Sequence, residues 1–216
     1  MADRTHSKDV FDVIEKAHFV PLIVLSDAED AVPMAQALVE GGLPIAEVTF
    51  RTSAAAEVMR QMSYHVPECL VGAGTVHNVT KAKEAVDAGA RFIITPGMNP
   101  AVVDWCLSHD VPVIPGTVTP SDLEVALDFG LDVCKFFPAE AYGGVTTLKA
   151  LAGPYAGIRF LPTGGINKTN ARSYLDLPNV IAVGGSFLTP SALVKAKDWD
   201  GIIKTCKETA KIVKEL

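Results

Sequence analysis

Nowhere does this chain hold a run of apolar residues long enough to cross a membrane, so a transmembrane helix is excluded as a way of reading it. The segment from Met1 to Lys16 is polar and mixed in charge and lacks the apolar core of a signal peptide, which predicts a cytoplasmic protein. Cys69, Cys106, Cys134 and Cys206 are widely spaced and form no CxxC pair, which argues against a disulfide framework or a thiolate zinc site. Basic residues are not in excess: the formal charge of -6 offers a nucleic acid or another polyanion no electrostatic attraction. His6, His18, His65, His77 and His109 show no HxH or HExxH spacing, so no metal site is expected and no other cofactor is called for. His77 follows a glycine-rich loop, yet a lone loop histidine is usually a solvated one. Gly72-x-Gly74 is only part of a dinucleotide fingerprint, because His77 stands where the third glycine belongs.

What is present is a core. The 216 residues are 49% hydrophobic and 20% charged, with 17 glycines and 14 prolines, a length and composition suited to one domain over residues 1–216. One unit recurs along the chain: a short β-branched run, a loop with Gly, Pro or Thr, and a helix-like stretch of Ala, Leu, Val and charges. Eight strands are expected, at Phe19 to Leu25, Ile45 to Phe50, Cys69 to Gly72, Arg91 to Thr95, Pro112 to Ile114, Leu131 to Phe137, Ile158 to Leu161 and Val180 to Val183. Helical stretches between them include Ala28 to Glu40, Ser53 to Met62, Thr80 to Ala88, Ser121 to Phe129 and Lys168 to Leu175, with a last helix over Asp200 to Glu215. Gly41, Gly89 and Gly130 close three of them, as glycine often does at a helix C-terminus. This pattern predicts an α/β chain folded as a (β/α)8 TIM barrel, its bottom closed by an N-terminal helix over Lys8 to Ala17.

Within that frame Lys135 is out of place. It interrupts the apolar run Leu131-Asp132-Val133-Cys134-Lys135-Phe136-Phe137, which Pro138 ends and which reads as a strand buried on both faces. An unpaired ammonium there loses its hydration, and the neutral amine it would become is a nucleophile. Strand periodicity turns Val133, Lys135 and Phe137 to the barrel interior, and Cys134 and Phe136 to the helices. In the second strand Ala46, Val48 and Phe50 form an apolar face, leaving Ile45, Glu47, Thr49 and Arg51 on the other. Glu47 then lies roughly 13 Å below Arg51 at about 3.3 Å per residue, too far for one ion pair. A buried Glu47–Lys135 pair that merely fills the barrel is the competing reading, and desolvating both charges is costly without a function. Lysine beside carboxylate suits imine chemistry: the amine attacks a ketone, the protonated imine draws in the electrons of an adjacent C–C bond, and Glu47 moves the protons.

The loops at the C-terminal ends of the strands, where such barrels keep their reactive groups, are rich in glycine. Gly164-Gly165 and Gly184-Gly185-Ser186 follow the seventh and eighth strands, where backbone N–H groups and a short helix often hold a phosphate. Any one of them alone is more often a tight turn. Arg51 and Thr75 remain for a carboxylate at the other end of a substrate.

These residues carry a resemblance. Glu47-Val48-Thr49-Phe50-Arg51-Thr52, Gly72-Ala73-Gly74-Thr75-Val76, Lys135-Phe136-Phe137-Pro138-Ala139-Glu140, Gly143-Gly144-Val145, Pro162-Thr163-Gly164-Gly165-Ile166 and Gly184-Gly185-Ser186, in that order, resemble the KDPG/KHG aldolases, and the likeness runs through nearly the whole chain. These are class I aldolases of the Entner-Doudoroff pathway. The resemblance implies a lyase with Lys135 as the Schiff-base lysine and Glu47 as the general acid/base. It further implies that Arg51 and Thr75 contact the pyruvate portion, that Pro96 and Phe137 wall the pocket, and that Thr163, Gly164, Gly165, Gly184, Gly185 and Ser186 form the phosphate end. It implies reversible cleavage of 2-dehydro-3-deoxy-6-phosphogluconate to pyruvate and glyceraldehyde 3-phosphate by a homotrimer. Members often carry a basic residue after the first strand, where this chain has Ser26-Asp27. 4-Hydroxy-2-oxoglutarate and the phosphogalactonate epimer are therefore alternative substrates. Other readings of the same residues are a phosphosugar isomerase or epimerase, which needs no imine, and a non-catalytic barrel that binds a phosphometabolite.

Overall fold

The structure, a computed structural model, describes residues 5–214. Helix α1 (Thr5–Ala17) precedes strand β1 (Phe19–Ile23), helix α2 (Ala31–Glu40), strand β2 (Ile45–Thr49) and helix α3 (Ala55–His65). Then come β3 (Leu70–Gly74), α4 (Val79–Asp87), β4 (Ile93–Ile94), α5 (Pro100–Ser108), β5 (Val113–Ile114), β6 (Gly116–Thr117) and α6 (Pro120–Asp128). The chain continues through β7 (Val133–Phe136), α7 (Gly144–Leu151), β8 (Arg159–Pro162), α8 (Ala171–Leu175), β9 (Val183–Gly185), α9 (Ser191–Lys195) and α10 (Trp199–Lys214). Local chemistry starts several of the helices. The side chains of Asn78 and Asn99 accept backbone N–H groups at the starts of α4 and α5, and Thr119 and Asp122 form a reciprocal capping box on α6.

All strand pairs are parallel, giving an α/β fold with a curled sheet. One sheet runs β5-β4-β3-β2-β1-β9 and the other β6-β7-β8. Two seams join them. Isolated bridges link Phe160 to Val180 and Thr163 to Gly184. On the other side the chain passes from β5, paired with β4, to β6, paired with β7, across Pro115. The fifth strand expected from sequence ended at Ile114. Instead, Pro115 has no N–H for the β4 ladder, but its carbonyl accepts from Lys135 N at 2.8 Å and hands the ladder to β7. The last strand is also shifted: Gly184 and Gly185 pair with Val20 and Pro21 as strand residues, while Val180 makes only the bridge to Phe160. The third strand, expected to end at Gly72, runs on through Ala73 and Gly74, which pair with Val48 and Thr49. Three further helices, α5, α7 and α9, lie outside the helical stretches named from sequence. Of the three expected closing glycines, Gly89 and Gly130 have positive φ, whereas at the end of α2 that conformation falls on Gly42 rather than Gly41.

Side chains alternate as strand geometry requires. Ala46, Val48, Cys134, Phe136 and Phe160 join the large apolar cluster shared with the helices. Val20, Ile45, Phe92, Ile94, Ile114, Val133 and Leu161 form a second cluster inside the curl of the sheet. Val10 and Ile14, one helical turn apart on α1, pack into that inner cluster. Full burial of a side chain the size of Ile14 is worth about 2–3 kcal/mol.

Candidate active site

Above that apolar plug the interior turns polar. Glu47 on β2 and Lys135 on β7 face each other across the curl, Lys135 Nζ donating to Glu47 Oε1 at 3.2 Å. Both are deeply buried, Glu47 at 0% and Lys135 at 4% exposure. Lys135 is registered between Gly116 and Leu161 on its neighbouring strands, so no second charge flanks it along the sheet. The Phe137 ring centroid lies 5.2 Å from Nζ, close enough to interact with the ammonium form. The other carboxylate oxygen, Glu47 Oε2, is buried and has no hydrogen-bond partner. Unpartnered polar atoms in a protein interior are rare and mark strain or function.

Glycines shape the space around the pair. A methyl group at Gly74 would lie 2.2 Å from Glu47 Oε1, and one at Gly72 would lie 2.3 Å from the Phe92 ring. Neither glycine has a positive φ; each is required because a neighbouring side chain crosses over it.

Threonine hydroxyls bind the strand ends together. Thr117 Oγ1 donates to the Lys135 carbonyl at 3.1 Å, and Thr49 Oγ1 donates to the Ile23 carbonyl at 3.1 Å. Thr95 Oγ1 donates to the Gly97 carbonyl at 2.8 Å and accepts from Gly116 N at 3.2 Å. This brackets half-buried Pro96, whose carbonyl would lie 2.3 Å from a methyl on Gly116. None of Thr49, Thr95 and Thr117 was given a task from sequence, because a threonine in a strand is ordinary and only the partner carbonyl reveals its task.

The remaining expected site residues sit on the rim at the strand ends. Arg51 falls beyond the end of β2, in a turn where Arg51 N donates to the Thr49 carbonyl at 2.7 Å. Strand β2 therefore carries Glu47 and ends before Arg51, which belongs to the turn that follows it. Its guanidinium is exposed and makes no ion pair among the described residues. Thr75 follows β3 with φ of 59°, a conformation that a β-branched residue holds only where its surroundings impose it. His77 is exposed.

On the opposite rim, Thr163 is buried with its Oγ1 unpartnered, and a methyl on Gly184 would lie 2.5 Å from that oxygen. Gly164 and Gly165 have φ of 100° and 80°, which aims their turn in a way other residues rarely allow. Gly185 is extended and leads into a short 3-10 turn over Ser186–Leu188, with Ser186 exposed at its start. After β1, the Asp27 side chain accepts from Glu29 N at 3.0 Å, so the Ser26-Asp27 segment caps a 3-10 turn. Among the described residues no three His, Cys, Asp or Glu side chains converge as metal ligands would.

The chain is similar to known proteins over nearly all its length. A family model for KDPG and KHG aldolase matches residues 10–205. A 2-dehydro-3-deoxy-phosphogluconate aldolase of Treponema pallidum is 44% identical, covering 94% of this chain and 97% of its own. A KHG/KDPG aldolase of Escherichia coli K12 is 47% identical over 88% of this chain and 89% of its own. Among solved structures, the KDPG aldolase of Legionella pneumophila, with pyruvate captured at low pH as a covalent carbinolamine intermediate, superposes with a TM-score of 0.90 at 39% identity, covering 92% of this chain and 97% of that one. The 2-keto-3-deoxy-6-phosphogluconate aldolase of Zymomonas mobilis with 3-phosphoglycerate gives 0.89 at 39% identity, covering 94% and 96%. Likeness at that identity, sustained across both chains, settles the kinship: this chain belongs to the KDPG and KHG aldolase family.

Proposed function

We propose that this protein is a class I aldolase, a lyase that reversibly cleaves 2-dehydro-3-deoxy-6-phosphogluconate to pyruvate and glyceraldehyde 3-phosphate through an imine on Lys135. The observation that carries the reading is the buried contact of Lys135 Nζ with Glu47 Oε1 at 3.2 Å, with Glu47 Oε2 left unpartnered. The carbinolamine captured in the Legionella pneumophila relative supports the same chemistry.

In the proposed sequence the neutral amine of Lys135 attacks C2 of the keto acid, forming the C–N bond while the carbonyl oxygen takes up a proton. The carbinolamine loses its hydroxyl as water, with Glu47 supplying the proton, and leaves a protonated imine. Glu47, now a carboxylate, takes the proton of the C4 hydroxyl. The C3–C4 bond then breaks, its electrons flow into the imine as an enamine, and the aldehyde departs. Protonation of C3 by the same carboxyl restores the imine, and water releases pyruvate and the amine. Arg51 and Thr75 hold the carboxylate end in this reading, Pro96 and Phe137 wall the pocket, and Thr163, Gly164, Gly165, Gly184, Gly185 and Ser186 receive the phosphate. The 3-phosphoglycerate bound by the Zymomonas mobilis relative supports a phosphate end.

4-Hydroxy-2-oxoglutarate is a second substrate on this reading, in keeping with the lack of a basic residue at Ser26-Asp27 after β1 and with the double name of the Escherichia coli relative. The proposal extends to a closed eight-stranded barrel over one domain, a homotrimer, and a cytoplasmic location, which the four free, buried thiols suit. Light scattering checks the trimer.

Borohydride reduction in the presence of pyruvate, followed by peptide mass spectrometry, tests the chemistry. A stable adduct on Lys135, lost in a folded Lys135→Ala variant together with turnover, is the expected result. A folded wild-type protein that traps nothing in excess pyruvate overturns the imine and leaves the isomerase or the binding barrel.

A further inference from the structure

Glu140 and Tyr174 form a pair that the aldolase chemistry above does not use. The phenol of Tyr174, on α8, donates to Oε1 of Glu140, which sits in the turn after β7. Tyr174 is fully buried, and burial together with the Glu140 carboxylate pushes its phenol well above the ordinary range, so it remains the donor. Two double-glycine turns close on this pair. A methyl at Gly165 would lie 2.5 Å from Glu140 Cγ, and one at Gly144 would lie 2.5 Å from the Tyr174 hydroxyl and 2.9 Å from Glu140 Oε1. The backbone repeats the connection: Ala139 N donates to the Thr163 carbonyl at 2.8 Å and Glu140 N to the Gly164 carbonyl at 3.1 Å. Helix α8 reaches the same loop a second time, since Asn170, which immediately precedes it, donates to the Gly165 carbonyl at 3.2 Å.

We infer that Glu140 and Tyr174 are positioning residues, a clamp that fixes the Gly164-Gly165 turn so that its backbone N–H groups meet the phosphate of the substrate. The inference rests on the proposed aldolase reading for its ligand and adds to it two residues that touch neither the imine nor the pyruvate portion. Both glycines of the turn have positive φ, a backbone that wanders readily once a contact is removed. A hydrogen bond to a carboxylate is strong enough for its loss to matter, about tenfold in an equilibrium.

The test compares two substrates, 2-dehydro-3-deoxy-6-phosphogluconate and the same acid without its phosphate. Tyr174→Phe and Glu140→Ala are expected to raise KM for the phosphorylated acid by about tenfold, with kcat and the KM of the unphosphorylated acid changed by less than about twofold. Glu140→Gln keeps an acceptor for the phenol and is expected to restore most of the affinity. Equal losses on both substrates in folded variants, or no loss on either, overturn the clamp. Failure of the underlying reading looks different: the wild-type protein would then cleave neither acid and trap no pyruvate on Lys135.

Discussion

Replacing Gly74 with alanine strikes the proposed acid/base without touching it chemically. The new methyl would lie 2.2 Å from Glu47 Oε1, 2.7 Å from Cγ and 2.8 Å from Cδ, whereas ordinary van der Waals contact begins near 3.4 Å. The carboxylate therefore has to retreat by about 1 Å, and with Glu47 wholly buried the shift opens its contact with Lys135. Misplacing a catalytic group by about 1 Å costs about 10²-fold in rate. Overpacking a tight interior costs about 1–3 kcal/mol of stability, which leaves a domain of this size folded. The expected signature is a kcat lowered about 100-fold, a modest drop in Tm and near-normal KM. Gly153→Ala is the control, because nothing lies within 4 Å of a methyl there, and it should leave both stability and rate unchanged. Measurement is by steady-state cleavage of the phosphorylated acid alongside thermal melts. A folded Gly74→Ala protein with wild-type kcat would show that the position of Glu47 does not govern the rate.

Other consequences can be checked with the same protein. Glu47→Gln keeps the shape but cannot carry the proton, so kcat should fall by about 10²–10⁴ with a much smaller change in KM; an unchanged rate would remove Glu47 from the mechanism. At the start of α6, burial raises the Asp122 carboxyl, but N–H groups of Thr119 and Val118 and the Thr119 hydroxyl outweigh it and hold the group below the usual carboxylate range. Its contribution is thus present above the unfolded value near 3.9 and lost as pH falls through the lower folded value. Asp122→Ala should cost about 1 kcal/mol at neutral pH in denaturant melts, and a gap from wild type that persists undiminished in acid would contradict the assignment. Burial pushes the thiols of Cys69, Cys106, Cys134 and Cys206 up to about 12, so iodoacetamide at pH 8 should label none in the native protein and all four in urea.

How far the sequence could be read follows from the range of each interaction. The inward setting of Glu47 and Lys135 was legible because strand alternation is local, and one charged residue in an apolar run identifies its own face. That β2 ends at Thr49 and leaves Arg51 in the following turn was not legible, because nothing local announces where a strand stops. The Thr95, Thr117 and Glu140–Tyr174 contacts join residues 18 to 34 positions apart or reach a backbone carbonyl, and no short motif records such pairs. Pro115 misled for a related reason: it ends one ladder and serves the next, and only the partner strand shows which carbonyl is in use.

The strand glycines show why the site lies where it does. Register sets Ile45 opposite Leu70, Glu47 opposite Gly72 and Thr49 opposite Gly74, so the inward positions of β2 and β3 grade from apolar and large to polar and small. On β7 the same ascent runs from Val133 to Lys135, with Phe137 beyond the strand end. The lower layer joins Val10 and Ile14 of α1 in a packed plug. One layer higher, glycine on β3 gives back the volume that a carboxylate on β2 and an amine on β7 need in order to meet. An interior filled at every level with branched apolar side chains would be more stable but would have no room for a substrate ketone beside Lys135. Polar residues reach the interior only where neighbouring strands surrender their side chains, so a buried charge registered against a glycine is a sharper sequence signal for a reactive site than either residue alone.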